Sequence, residues 1–253
     1  MGGRVWVGCS GYDYAHWRGL FYPADLPHSA WFAAYAARFD TLEVNATFYR
    51  LPSQATVESW RERAPEGFRY AVKLSRFGSH RKHLKDPDTW LAAFLTRVAG
   101  LGPALGPTLV QLPPRWNADP QRLDDFLTAV DDLSAGLVAA PSGWAVEMRD
   151  ERWLCAEVYE VLRAHGAALV LHDRIADHPR VLTAGWTYLR FHGPDPAAPY
   201  AGRYPDGVLD EAARQLLTVS ASGGDCYAYF DNDAAAQATC DARRLRERLS
   251  RVE

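Results

Sequence analysis

The sequence predicts an α/β protein: a single (β/α)8 TIM barrel spanning residues 1–253 as one domain. Three observations predict it. Strand-like runs recur eight times and mostly alternate with helical ones, and eight βα units in about 250 residues is the arithmetic of that fold. Alternate residues of a strand point to opposite faces, and here one parity is apolar while the other repeatedly carries charge. The charges gather at the carboxyl ends of the runs, where TIM-barrel sites lie. A doubly wound sheet is the alternative, but helices on both of its faces would make both parities apolar.

The elements follow in order. Arg4–Ser10 is a first strand that breaks at Gly11. Trp31, Phe32, Tyr35, Ala36 and Phe39 have helical spacing. Thr41–Tyr49 reads as the second strand, with Leu42, Val44 and Ala46 opposite Glu43, Asn45 and Thr47. Ser53–Arg63 is helical, with Ser53 as N-cap and Pro65 beyond its end. Phe68–Ser75 is the third strand, Tyr70, Val72 and Leu74 opposing Lys73. Helices Asp88–Gly100 and Asp119–Leu133 flank the fourth strand, Thr108–Leu112, which Pro113-Pro114 ends. The stretch Ala145–Trp153, AVEMRDERW, runs strand, charged tip, helix. Val146 and Met148 share one parity, Glu147 and Arg149 the other, and Asp150 and Glu151 suit a helix N-terminus. Ala168–Asp173 is the sixth strand with His172 at its tip, and Trp186–His192 the seventh, with Arg190 and His192 on one parity. Between them Arg174–Gly185 is too short for a normal crossover helix, which predicts a short helix or an irregular turn. Leu209–Ser220 is helical, Tyr227–Asp231 is the eighth strand, and the last helix runs to about Val252.

Composition narrows the function classes. Apolar residues make up 48% and charged residues 23%, ordinary for a soluble globular chain. A net charge of −3 gives no global attraction to nucleic acid or to anionic membrane. Cys9, Cys155, Cys226 and Cys240 form no C-x-x-C pair, and few scattered cysteines fit a reducing compartment. The chain opens directly on strand-like VWVG, with no signal-peptide pattern, and lacks the Ser or Thr at position 6 that myristoylation needs. No apolar run reaches membrane-spanning length. Together these predict a cytoplasmic protein without a membrane partner.

Read by parity, the barrel-facing set is Ser10, Glu43, Asn45, Lys73, Gln111, Glu147, Arg149, His172, Arg190 and His192, with Tyr229 and then Asp231 or Asn232 from the eighth strand. Barrel interiors are usually branched aliphatics, so acids, bases, imidazoles and amides together form an active-site inventory. A salt-bridge network filling the barrel is the structural alternative. Five segments of the chain also carry a family resemblance: GCSGYDYAHWRGLFYP, LEVNATFY, Ala145–Trp153, YLRFHG and YAYFDND, in that order. They closely resemble the YecE-like family, a domain of unknown function, over essentially the whole chain. The resemblance implies a TIM barrel and supplies no activity. The likeness of such barrels to the endonuclease IV-type fold implies nucleic acid as a partner by fold analogy alone.

Glu43, Glu147, His172, Asp173 and His192 are legitimate metal-ligand types. Lys73, Arg149 and Arg190 are expected in the same lumen, and three fixed cations disfavour a divalent ion beside them. There is also no H-E-x-x-H spacing. The reading is therefore no metal and, without a G-x-G-x-x-G or Walker loop, no nucleotide cofactor. The same cations favour a small anionic ligand, which arginine can grip through its planar fork. The loop SRFGSHRKHLK at Ser75–Lys85 adds Arg76, Arg81, Lys82 and Lys85 beyond the third strand. Aromatic rings also follow the strands, Trp17 and Trp153 among them, and sugars and bases stack on such rings. Cys9 and Ser10 are not a nucleophile elbow, because GCSGY lacks the G-x-S-x-G offset.

These readings predict Glu147, His172 and His192 as the proton-transfer groups. Glu43, Asn45, Lys73, Gln111, Arg149, Arg190, Trp17 and Trp153 would bind the ligand. The predicted function is a metal-independent hydrolase or lyase acting on a phosphate- or sugar-bearing anion. The alternative is a non-catalytic nucleic-acid-binding protein using residues 75–85 and the rim aromatics.

Overall fold

The computed structural model describes residues 2–251. Its strands are β1 (Val5–Ser10), β2 (Thr41–Val44), β3 (Arg69–Lys73), β4 (Leu105–Gln111), β5 (Trp144–Glu147), β6 (Ala168–His172), β7 (Thr187–Phe191) and β8 (Cys226–Phe230). They close in sequence order into one barrel. The helices are α1 (Trp31–Ala36), α2 (Ala46–Tyr49), α3 (Gln54–Arg63), α4 (Pro87–Val98), α5 (Pro120–Ser134), α6 (Ala156–Ala164), α7 (Asp206–Ala221) and α8 (Gln237–Leu249). The fold is thus the predicted (β/α)8 barrel. No helix among the described residues is long and apolar enough to cross a membrane. The expected last turn at Val252 lies outside the described residues.

The chain sorts into two compact units, one holding β1, β2, β7, β8 and the tip of β6, the other β3 to β5 and the body of β6. In the first, Trp6 of β1 stands beside Tyr227 of β8, and their rings stack at 4.8 Å. Tyr188 of β7 stands on the other side of Tyr227, with centroids 6.2 Å apart. Aromatic rungs therefore fill the amino-terminal part of this face and leave the polar residues to the carboxyl ends. Strands β1 and β2 pair only at Cys9–Leu42 and Ser10–Glu43. Below that pairing the buried Tyr35 hydroxyl of α1 accepts from the Cys9 N–H at 2.8 Å and donates to the Thr41 carbonyl at 2.9 Å. Gly8 makes room for the wedge: a Cβ there would lie 2.4 Å from the Thr41 carbonyl oxygen and 2.9 Å from the Tyr35 hydroxyl.

In the second unit the helices cover the apolar parity. Leu91, Phe94 and Leu95 of α4, Leu123, Phe126 and Leu127 of α5, and Val158 and Leu162 of α6 are all buried. The stretch before β7 contains no helix, which is the irregular turn the length predicted. It is anchored by the Thr183 hydroxyl, which accepts from the Leu169 N–H at 2.8 Å and donates to the Ala167 carbonyl at 2.7 Å.

Two sequence expectations are corrected. The second strand stops at Val44 and not Tyr49, and residues 46–49 form the short helix α2. The Thr47 hydroxyl lies 3.0 Å from the Val44 carbonyl and 2.7 Å from the Lys73 carbonyl, engaging groups that a continuing strand would leave to its ladder. Arg149 lies beyond β5, and Asp150 caps a 3-10 turn, Glu151–Trp153, ahead of α6.

Candidate functional site

Residues paired across parallel strands share a face. In the first unit this aligns Ser10 with Glu43, and Arg190 with Tyr229. Asp231 therefore falls on that face. Asn232 falls on the other, donating to the Asp241 carboxylate of α8 at 2.9 Å. Glu43 is fully buried. It accepts hydrogen bonds from Ser10 Oγ and from Tyr188 Oη at 2.6 Å. Arg190 closes its fork on the same carboxylate, Nε to Oε2 at 3.0 Å and NH2 to Oε1 at 2.7 Å. NH2 also reaches Ser10 Oγ at 3.1 Å and Asp231 Oδ2 at 3.3 Å.

The remaining guanidinium nitrogen, NH1, lies 2.8 Å from His192 Nε2. A guanidinium only donates, so Nε2 accepts and the ring proton sits on Nδ1, which donates to Asp173 at 3.0 Å. Asp173 also accepts from the His192 backbone N–H and from Tyr204 Oη. Burial would raise the Asp173 carboxyl, but the hydrogen bonds from His192 and Tyr204 outweigh it and hold the group below its ordinary value. Burial, with Asp173 beside it, pushes the Tyr204 hydroxyl up, so it remains a donor. Burial and the Glu43 charge do the same to Tyr188. His172 Nδ1 accepts from the Arg174 N–H at 3.0 Å, and its ring packs edge-on against His178.

The second unit carries the other predicted residues. Gln111 and Glu147 are register partners, and Gln111 Nε2 donates to Glu147 Oε1 at 2.8 Å. Arg149 Nε donates to the same oxygen. Glu147 is fully buried, whereas the Arg149 side chain keeps 15% of its surface exposed. Lys73 Nζ lies 4.4 Å from the centroid of the Phe48 ring, a cation–π contact supplied by the helical turn α2. Asn45 directly precedes that turn and does not cap it.

The basic loop after β3 is an ordered structure. Residues Phe77–Arg81 form a π-helical turn, a rare geometry often found at functional sites. Ser79 and Leu84 are buried, and a Cβ on Gly78 would lie 2.3 Å from the Trp90 ring. His83, Leu84 and Asp86 hold left-handed backbone at φ 50°, 63° and 46°, strain the surrounding packing must sustain. In this turn His80 packs edge-on to Phe48 with centroids 5.1 Å apart. Burial first, and then the charges of Lys73, Arg76, His83 and Arg149, push its imidazole down to about 4.

Trp17 and Trp153 are corrected. Both rings are fully buried, and their indole N–H groups donate to the Asp233 and Trp116 carbonyls at 3.0 and 2.7 Å. They pack loops onto the barrel, and the half-buried Trp116 is the ring left at the surface of that cluster. Among the described residues, no group of three His, Cys, Asp or Glu side chains is placed to hold a metal ion. Cys9 is buried, which pushes its thiol up and away from nucleophile chemistry. Tyr188 and Tyr204 are partners the sequence reading missed. Tyr188 shares the parity of Arg190 and was there to be found. Tyr204 meets Asp173 across 31 residues, with no local signal.

A family model described as "Protein of unknown function DUF72" matches residues 6–253. The UPF0759 protein YecE of Escherichia coli strain K12 is 38% identical over 99 residues, 39% of this chain and 36% of that protein. The same holds for YecE of Escherichia coli O157:H7. The matched stretch thus spans about a third of these curated relatives. A crystal structure of a DUF72 family protein from Thermotoga maritima superposes with a TM-score of 0.84 at 26% identity, covering 98% of this chain and 99% of that one. One from Enterococcus faecalis superposes at 0.78 with 18% identity, covering 97% and 95%, a likeness of fold.

Proposed function

From the premise that this chain belongs to the DUF72 family of proteins of unknown function, we propose that it is an acid–base enzyme, a hydrolase or lyase, acting on a small phosphate- or carboxylate-bearing ligand at the tips of β3 to β5. One observation carries this reading: Lys73, Arg76, His83 and Arg149 gather around the half-buried His80, and burial first, then these charges, push its imidazole down to about 4. The gathered cations, more than the neutral imidazole, set up a positive potential that an arriving anion would neutralise. Lys73 and Arg149 then hold the anion. Glu147, oriented by Gln111 and Arg149 on one oxygen, is the proton-transfer group. His192 is assigned a positioning role, because Asp173 and Arg190 engage both of its ring nitrogens. Arg190 has its fork on Glu43 and supports the barrel.

The test is the His80 titration followed by NMR. The free protein should show a midpoint near 4, and saturating pyrophosphate should raise it as the bound charge offsets the cations. Arg149→Met should abolish the pyrophosphate effect. A midpoint that pyrophosphate leaves unchanged would refute an anion site here.

A second reading has its own observation. Beyond the loop, a groove of about 400 Å³ is lined by Arg81, Lys82, Lys85, Arg122 and Trp116. Among the described residues Arg81 and Lys85 have no carboxylate partner, and the Arg122–Asp119 pair is loose at 3.8 Å. Cations beside an indole suit a single-stranded polyanion. Binding of a thymidine 20-mer that weakens linearly in log affinity against log salt, and is lost in Arg81→Ala/Lys85→Ala, would favour this reading. No binding at low salt would dismiss it.

A further inference from the structure

A second cavity, of about 580 Å³, lies on the outer side of the first unit between α8 and the segments flanking α1. Its floor is a stacked pair, Phe21 and Phe39, with centroids 6.1 Å apart. Each ring carries a guanidinium. Arg38 lies 5.0 Å from the Phe21 centroid, and Arg246 lies 5.9 Å from that of Phe39. Backbone carbonyls fix both: Arg38 NH1 donates to Ala34 at 2.9 Å, and Arg246 NH1 donates to the Arg38 carbonyl at 2.6 Å. Among the described residues neither has a carboxylate partner. The nearby Arg243 does, in Glu247 at 3.6 Å. Leu20, 63% exposed, adds an aliphatic wall.

Arginines laid on ring faces and tied to carbonyls lose little further freedom when an anion arrives, and their remaining N–H donors suit a carboxylate or phosphate. The volume is that of a small-molecule pocket. A bare ion would use the arginines and leave Leu20 and the open edge of Phe21 in water. An uncharged apolar ligand would cover Leu20 and Phe21 and leave the guanidiniums unanswered.

We propose that this cavity binds an amphipathic anion, a hydrocarbon chain ending in a carboxylate or phosphate, with the chain on Leu20 and the half-buried Phe21 and the head group on Arg38 and Arg246. The site lies wholly within the first unit and does not rest on the function proposed for the second. The concavity favours one bound molecule over a membrane surface.

The experiment is calorimetric titration of the full chain with octyl phosphate, with inorganic phosphate and octanol as controls. Octyl phosphate should saturate one site, with both controls weaker by at least about tenfold. Arg246→Met and Arg38→Met should each weaken it about tenfold or more, and Arg243→Met less than about threefold. The arginines are at the surface, and a thermal melt confirms that each variant is folded. Octanol binding as tightly as octyl phosphate, or unchanged affinity in both Arg38→Met and Arg246→Met, would overturn the proposal. So would binding to phosphatidylglycerol-containing vesicles with none to dispersed octyl phosphate, which would make the patch a membrane contact.

Discussion

Arg190→Met tests whether the first unit's charges are structural. Arg190 is 1% exposed and Glu43 is fully buried. The substitution removes both fork hydrogen bonds to Glu43, together with those to Ser10, Asp231 and His192. Glu43 would keep Ser10 and Tyr188 as neutral donors but lose the cation that forks onto it. Removing one member of a buried pair costs about 3–5 kcal/mol, because the other charge is left uncompensated. In a chain of this size each kcal/mol moves Tm by about 2–4 °C, so the expected loss is roughly 6–20 °C. Urea unfolding at pH 7 should show a lower midpoint with an unchanged slope. Arg190→Met/Glu43→Leu removes both charges and should recover a large part of the loss. A loss below about 1 kcal/mol in the single variant, or a double variant worse than the sum of the two singles, would refute the strut.

Three further outcomes are expected. Gly8→Ala drives a Cβ to 2.4 Å from the Thr41 carbonyl oxygen and should cost about 1–3 kcal/mol in urea unfolding, whereas Gly136→Ala meets nothing within 4 Å and should be near neutral. Because His80 is held below its unfolded value, the unfolded chain binds more protons between about 4 and 6.5. Stability should therefore fall as pH drops through that window, and His80→Gln should flatten this part of the profile. Although burial opposes it, Asp131 and Asp124 raise His165 above its ordinary value, so its contribution is present below about pH 6.5 and fades as pH rises through the raised value. His165→Gln should thus cost more at pH 6 than at pH 9 in thermal melts.

The fold was legible because strand parity is local. Glu147 and Arg149, and Arg190 and His192, sit two residues apart, and an apolar neighbour between them declares the face. The end of β2 was not legible, because the Thr47 hydroxyl finds the Lys73 carbonyl 26 residues away. Nor could parity separate Arg190 from Arg149. Each follows a single apolar residue, Met148 or Leu189, yet one meets a carboxylate from a distant strand and the other a carboxylate from its own. Trp17 and Trp153 looked like rim aromatics because loops carry them. Their burial depends on the carbonyls of Asp233 and Trp116, which no sequence period reveals.

Charge in a barrel acts as a strut when its hydrogen-bonding capacity is used up inside the protein, and as a grip when capacity and solvent access remain. Arg190 belongs to the first kind. All three of its nitrogens have protein partners, and its neighbours Glu43, His192 and Asp173 are each held by at least two groups. The aromatic rungs of Trp6, Tyr188 and Tyr227 lie on the same face and strengthen each of these bonds by excluding water. The second unit differs in kind. Arg149 stays in contact with solvent, Arg76 and Arg81 are exposed, and His80 is pushed toward neutrality where a strut would need its charge. The loop's left-handed residues add strain that its buried Ser79 and Leu84 must sustain, and its like charges add repulsion. An incoming anion would add counter-charge beside the exposed Arg76 and Arg81, which is the physical basis of the anion site we propose at the tips of β3 to β5.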